Sequence, residues 1–177
     1  DGTDPRLSGG AVAPEAEVVA SGASITIMEN ELVVARALDP AHPWSPEAAP
    51  TFWSAPMIGS YWVDLPPVVV TEIMYNPSEA PDRLVDSDQF EFIELQNIGA
   101  QAVNLEGARI FRGIDFVFPD LTLNPGEVVL VVSNLAAFES RYETTGMIIA
   151  GEYDRLLSNA GDNLGFEGAL GEPIHEF

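Results

Sequence analysis

Apolar residues fall in short runs along this chain, many of them β-branched or alternating with polar residues, and Pro and Gly interrupt the runs roughly every dozen residues. Alternation with a period of two places successive side chains on opposite faces of an extended segment, and closely spaced breakers keep the segments short. The pattern predicts strands at 17–20, 24–27, 32–38, 51–53, 68–75, 90–97, 108–111, 115–118, 128–132 and 164–168. Helical spacing occurs at one place, where Leu135, Phe138 and Tyr142 recur at threes and fours behind Asn134, a residue suited to capping a helix start. The expectation is an all-β protein of the immunoglobulin-like sandwich type, with one short helix or turn.

In 90–97 apolar Phe90, Phe92, Ile93 and Leu95 occupy both faces, while Glu91 and Glu94 point to opposite sides. Such a segment belongs at the centre of a sheet with one face wholly buried. Asn124-Pro125-Gly126-Glu127 sets Pro and Gly in succession, as a type II turn requires, and aims 128–132 back into the sheet. Gly113 is read as a second turn glycine. Half of the 14 prolines lie between Pro40 and Pro67, which divides the chain into residues 1–64 and 65–177. The Pro66-Pro67 pair, directly before Val68-Val69-Val70, reads as the end of a semi-rigid linker. Residues 1–64 are too few and too irregular for a whole sandwich and read as the tail of one.

Past that joint, an ordered series of short motifs is similar to the bacterial lamin-tail domain family. Val70-Thr71-Glu72-Ile73-Met74-Tyr75-Asn76-Pro77 resembles its first strand, and Phe90-Glu91-Phe92-Ile93-Glu94-Leu95-Gln96-Asn97 its second. Val103-Asn104-Leu105-Glu106-Gly107, Gly113–Pro119, Leu123–Glu127, Val128–Val132, the Phe138–Tyr142 segment and Leu157–Asp162 follow in the family's order. Ala108 departs from it, standing where the family usually has Trp. The last strand is expected to begin at Ile174–Phe177 and to leave a sheet edge unpaired. The resemblance implies a non-catalytic interaction module of large secreted bacterial proteins. Earlier in the chain, Asp1–Arg6, Ser24–Ile27, Val33–Ala37 and Trp44-Ser45-Pro46 are similar to the latter half of the chitobiase C-terminal-like, fibronectin-III-associated β-module. Its first strands are expected upstream of Asp1.

Composition narrows the chemistry rather than the fold. The chain has no Cys and no Lys, and its only histidines are His42 and His175. Thiol, Schiff-base and thiolate-zinc chemistry are thereby excluded. Twenty-eight Asp and Glu against seven Arg give a formal net charge of −21. Nucleic-acid affinity rests on clustered cations, and seven dispersed arginines form no basic stripe, so no nucleic-acid partner is expected. No apolar run is long enough to insert in a membrane as a helix. Acidity without Lys fits a salty or calcium-rich exterior that screens self-repulsion, and equally a genome that uses Arg in place of Lys. Asp1-Gly2-Thr3-Asp4-Pro5 carries neither an initiator Met nor a leader, so the chain is expected to be an internal piece of a longer polypeptide.

Each candidate site has a plainer structural alternative. Glu72, Glu91 and Glu94 are carboxylates on neighbouring predicted strands, a pattern that serves acid–base catalysis when one of them is held protonated. Solvation or capping by backbone and Arg groups is favoured instead, and no catalytic residue is assigned. Asp86 and Asp88, with Asp82 upstream, concentrate oxygen in a loop as Ca²⁺ requires; an ordinary solvated loop is favoured, leaving calcium as the one cofactor considered. Asp1-Gly2-Thr3-Asp4 and Gly161-Asp162-Asn163 read as Asx-type turns. Trp44, Trp53, Tyr61 and Trp62 make either a stacking platform for a partner or, the favoured choice, packing at the joint. The expected role is therefore a non-catalytic extracellular or cell-surface module that meets a protein or polysaccharide. The alternative is a carbohydrate-binding, calcium-assisted accessory to a secreted enzyme.

Overall fold

The computed structural model describes residues 2–41, 51–80 and 84–177. Compactness divides the chain into two units, Asp1–Asp64 and Leu65–Phe177.

In the first unit β1 (Glu31–Ala35) pairs antiparallel with β2 (Met57–Tyr61), with Val34 opposite Ile58. Single bridges join Arg6 to Val12 and Leu38 to Trp53. Among the described residues its buried apolar side chains are Ala13 and Trp53, the latter 6% exposed with its indole N–H donated to the Gly10 carbonyl at 2.7 Å. Polar fasteners do much of the remaining work. Arg36 donates to both carboxylate oxygens of Asp4, at 2.8 and 2.6 Å, and to the Ser54 carbonyl at 2.8 Å. Those Arg36 hydrogen bonds, helped by the Arg6 backbone N–H, hold the Asp4 carboxyl down to about 2. The Arg6 N–H contact also closes the Asx turn expected at Asp4. Segments 17–20 and 24–27 are not strands, contrary to their β-rich composition. Among the described residues no neighbouring strand takes up their backbone groups, and Val18 is 78% exposed, so strand propensity has no sheet to act in. The strand expected at 51–53 is reduced to the Trp53 bridge.

The second unit is an immunoglobulin-like β-sandwich with one short helix. Its elements are β3 (Val68–Met74), β4 (Phe92–Asn97), β5 (Val103–Asn104), β6 (Arg109–Arg112), β7 (Phe116–Val117), β8 (Thr122–Leu123), β9 (Val128–Val132), α1 (Leu135–Arg141), β10 (Ile148–Glu152), β11 (Leu164–Glu167) and β12 (Pro173–Glu176). One sheet has the order β10-β9-β4-β3, the other β12-β11-β6-β7, and β5 and β8 form a small ribbon. Parallel neighbours cannot be joined by a hairpin, and β9 and β10 pair in parallel, so α1 serves as their crossover. Asn134 caps α1 as expected, its side chain accepting from the Ala137 N–H at 2.9 Å.

Between the sheets Val68, Ile93, Leu95, Val129 and Val131 meet Ile110, Phe116, Leu164 and Phe166, with Leu105, Ile114, Phe118 and Leu123 filling the ends. Ala108, where a larger aromatic was missed in the sequence, lies buried in this cluster. Gly126 adopts φ 81°, and the Glu127 N–H returns to the Asn124 carbonyl at 3.0 Å, closing the turn before β9. Gly113 is not a positive-φ turn glycine; Arg112 takes that conformation at φ 81°. Gly113 is needed for space, since a Cβ there would come within 2.8 Å of the Asp162 and Leu164 side chains.

Other strands run shorter than predicted or were not foreseen. Residues 87–90 form a 3-10 turn, so the central strand starts at Phe92. β2, β5, β8 and β10 had no legible signal, whereas β12 falls on the last strand expected at Ile174–Phe177. β5 and β8 are two residues each, and β10 holds Gly151 at a register shift, where glycine erases the alternation. β12 begins at Pro173, in the first position of an edge strand where Pro is tolerated, and pairs with β11 on one side. On the outer face of that second sheet Gly165 lies opposite Phe111, whose ring covers it. A Cβ at Gly165 would come 2.5 Å from Phe111 Cζ, and Arg109 and Arg112 stand over the same ring at 5.0 and 5.2 Å. Gly165→Val is expected to displace the ring and to cost about 1–2 kcal/mol in urea unfolding, whereas Gly171→Ala tests backbone strain alone.

Candidate functional site

The central strand β4 separates inside from outside. Its inward residues, with Glu91 just ahead of the strand, are Glu91, Ile93, Leu95 and Asn97, all fully buried. Hydrocarbon fills the middle and a polar group closes each end. Asn97 donates to the Gln101 and Leu123 carbonyls at 2.8 and 2.9 Å and accepts from the Gly99 N–H at 2.9 Å, so its amide satisfies backbone that the sheet leaves unpaired. At the other end one Glu91 oxygen accepts from the Leu157 N–H at 2.9 Å and the Tyr153 hydroxyl at 3.3 Å. Among the described residues its second oxygen, Oε1, has no hydrogen-bond partner. Burial raises the Glu91 carboxyl above the ordinary range, and Asp88 and Asp162 nearby push the same way, against the two hydrogen bonds. Burial, chiefly, and the Glu91 charge also raise the Tyr153 phenol. Of the solvation or capping by backbone and Arg groups expected for these acids, Glu91 shows only the backbone cap, from the Leu157 N–H. It is an interior acid serving the 153–157 segment.

The outward residues of the same sheet make a different surface. Phe92, Leu130 and Val132 are covered at one end by Phe138 of α1, with Leu135 and Tyr142 beside it. Phe92 meets the Phe138 and Tyr142 rings edge-on at 5.6 and 5.9 Å. Beyond the helix the cover stops and an open recess of about 550 Å³ remains. Its apolar lining includes Met74, Phe92, Leu130, Phe138 and Met147, and its acids are Glu72, Glu94 and Glu127. Glu94 Oε1 accepts from the Thr71 hydroxyl at 2.6 Å, and Glu127 Oε2 from the Asn124 N–H at 2.7 Å. Of the three carboxylates singled out in the sequence, Glu72 and Glu94 share this outer face while Glu91 faces inward, so the three do not form one site.

The other candidates are scattered. The Asp86 and Asp88 carbonyls are used by their own turn, accepting from the Gln89 and Glu91 N–H groups, and the Asp88 carbonyl also takes the Ser133 hydroxyl at 2.7 Å. Among the described residues no group of three or more His, Asp or Glu is placed to hold a metal ion. Asp82, His42 and Trp44 lie outside the described residues. Trp53 is enclosed, whereas Tyr61 and Trp62 are 43% and 48% exposed. His175 stacks on Phe177 at 5.6 Å, and the Asp162 carboxylate accepts from the Ser158 N–H at 2.6 Å. Sequence reasoning missed the recess because Met74, Glu127 and Met147 come from three separate segments. Shared parity of Glu72/Met74, Phe92/Glu94 and Val128/Leu130 was the available signal, once the strand order was known.

No curated protein shows significant similarity to the chain. Residues 64–165 match the Lamin Tail Domain family, a span running from just before β3 into the start of β11. With that match over more than half its length and the sandwich described above, the chain belongs to the lamin tail domain family.

Proposed function

We propose that this chain is a non-catalytic interaction module of a larger secreted bacterial protein, working outside the cell or at its surface and meeting its partner on the outer face of the β3-β4-β9-β10 sheet. The observation that carries this role is the contrast between the two faces of that sheet. The inner face is consumed by hydrocarbon packing and two structural polar groups, while the outer face holds a recess with an apolar floor. Immunoglobulin-like domains of this family are a non-catalytic type of module that commonly binds protein. Acidity favours a partner that is neither nucleic acid nor anionic membrane. The first unit fits the latter part of a chitobiase-like β-module completed by other sequence, because its described residues bury little more than Ala13 and Trp53 and leave Val18 and Met28 exposed.

Met147, 44% exposed at the recess, offers the test. A random-peptide display library panned against the full chain should yield binders that lose at least about tenfold in affinity on Met147→Asp, with the unfolding midpoint unchanged. Binders indifferent to Met147, or none at all, would remove the assignment. Exposure of Tyr61 and Trp62 favours a second role, in which these rings stack on a polysaccharide. Polysaccharide retention abolished by Trp62→Ala would move the function to the first unit.

A further inference from the structure

We infer that the recess takes a cationic, apolar segment of a partner protein, in which a hydrophobic side chain seats against Met74 and Met147 and Lys or Arg residues on either side reach Glu72, Glu94 and Glu127. The inference rests on the proposed role as an interaction module and adds the chemistry of the partner. Met147, 44% exposed, and the half-buried Met74 supply a seat, since exposed hydrocarbon gains free energy when covered. The charge of the recess selects the occupant. Among the described residues none of the three rim carboxylates pairs with an arginine, and no basic residue lines the recess. Glu72 moreover stands directly across from Glu94 in the β3–β4 register. Like charges in directly opposed positions destabilise a sheet unless a cation lies between them. Thr71 and Asn124 orient Glu94 and Glu127 without neutralising them. A second copy of the chain is a poor occupant, because each copy carries −21 and Arg109 and Arg112 are engaged by Glu167 and Glu176.

The test uses the full chain and three acetylated peptide amides, Lys-Leu-Arg-Phe-Lys, its charge-reversed form Glu-Leu-Glu-Phe-Glu, and the neutral Ser-Leu-Ser-Phe-Ser. Binding is read by fluorescence anisotropy. The seat is read from methionine methyl resonances, since Met74 and Met147 line the recess while Met28 and Met57 lie in the first unit. The cationic peptide should bind at least about tenfold more tightly than the other two and shift Met74 and Met147. Glu72→Gln/Glu94→Gln/Glu127→Gln together should weaken it by about tenfold, and Glu15→Gln/Glu17→Gln/Glu29→Gln in the first unit by less than about threefold. The recess variant should also melt higher by a few degrees, roughly, once the opposed charges are gone. Equal losses in the two triple variants would show attraction to net charge alone and overturn the inference. Acidic or neutral peptides seated in the recess as tightly as the cationic one would overturn it and leave the interaction role standing. No peptide shifting Met74 or Met147 would remove both.

Discussion

Phe118→Ala is expected to lower the free energy of unfolding by about 3–5 kcal/mol, the cost of a large buried ring replaced by a cavity. Phe118 is 2% exposed and lies in the cluster between the sheets. Its ring meets Phe116 edge-on at 4.9 Å and Phe166 at 5.9 Å, so truncation removes contacts on two sides at once. Its N–H donates to the Ala108 carbonyl at 2.8 Å, which ties the surrounding backbone and limits how far the hole can collapse. A domain holds only about 5–15 kcal/mol in reserve, so the substitution takes a large part of it. Urea unfolding followed by near-ultraviolet circular dichroism measures the loss. A cost under about 1 kcal/mol would mean that Phe118 does not sit in a close-packed interior.

The second large effect concerns Glu91. Glu91→Ala leaves the Leu157 N–H and the Tyr153 hydroxyl without their acceptor in the interior, at an expected cost of about 2–4 kcal/mol. Glu91→Gln keeps an acceptor for both and removes the titration. The folded state raises the carboxyl, so the native protein binds this proton more tightly than the unfolded chain does. By linkage the stabilisation from this group is complete below the unfolded value of about 4.3, and it is lost as pH rises through the folded value. The stability of the unaltered chain relative to Glu91→Gln should therefore fall from mildly acidic toward neutral pH and then level off. Denaturant midpoints of both proteins between pH 4 and pH 8 measure the difference. A difference that stayed flat, or rose with pH, would contradict a desolvated Glu91.

Much of the second unit was legible because its strands carry the cues that periodicity can see. Val68–Met74, Phe92–Asn97 and Val128–Val132 are β-branched or alternating, and Asn134 ahead of Leu135 and Phe138 marks the helix. Composition misled where pairing decides. Residues 17–20 and 24–27 have strand residues but, among the described residues, no strand beside them, whereas Met57–Tyr61, with Gly59 and Ser60 in it, is a strand because β1 is adjacent. Arg109–Arg112 hides Phe111 on the outer face, a choice fixed by Gly165 on another strand. The site was less legible than the fold. Glu91 and Glu94 were correctly sent to opposite faces by the period of two, and a backbone cap was among the expected partners, yet the burial of Glu91 was not legible because its donors, Tyr153 and Leu157, lie more than 60 residues away in sequence. The recess depends on strand order and on where α1 stops, and neither is a local property.

The proposed role turns on which surface meets the partner. The most direct measurement is a methionine methyl spectrum of the full chain with a panned peptide chosen without regard to charge, because two of its four methionines line the recess and two lie in the first unit. Saturable shifts of Met74 and Met147, with Met28 and Met57 unmoved, are the predicted result. Shifts confined to Met28 and Met57 would contradict it.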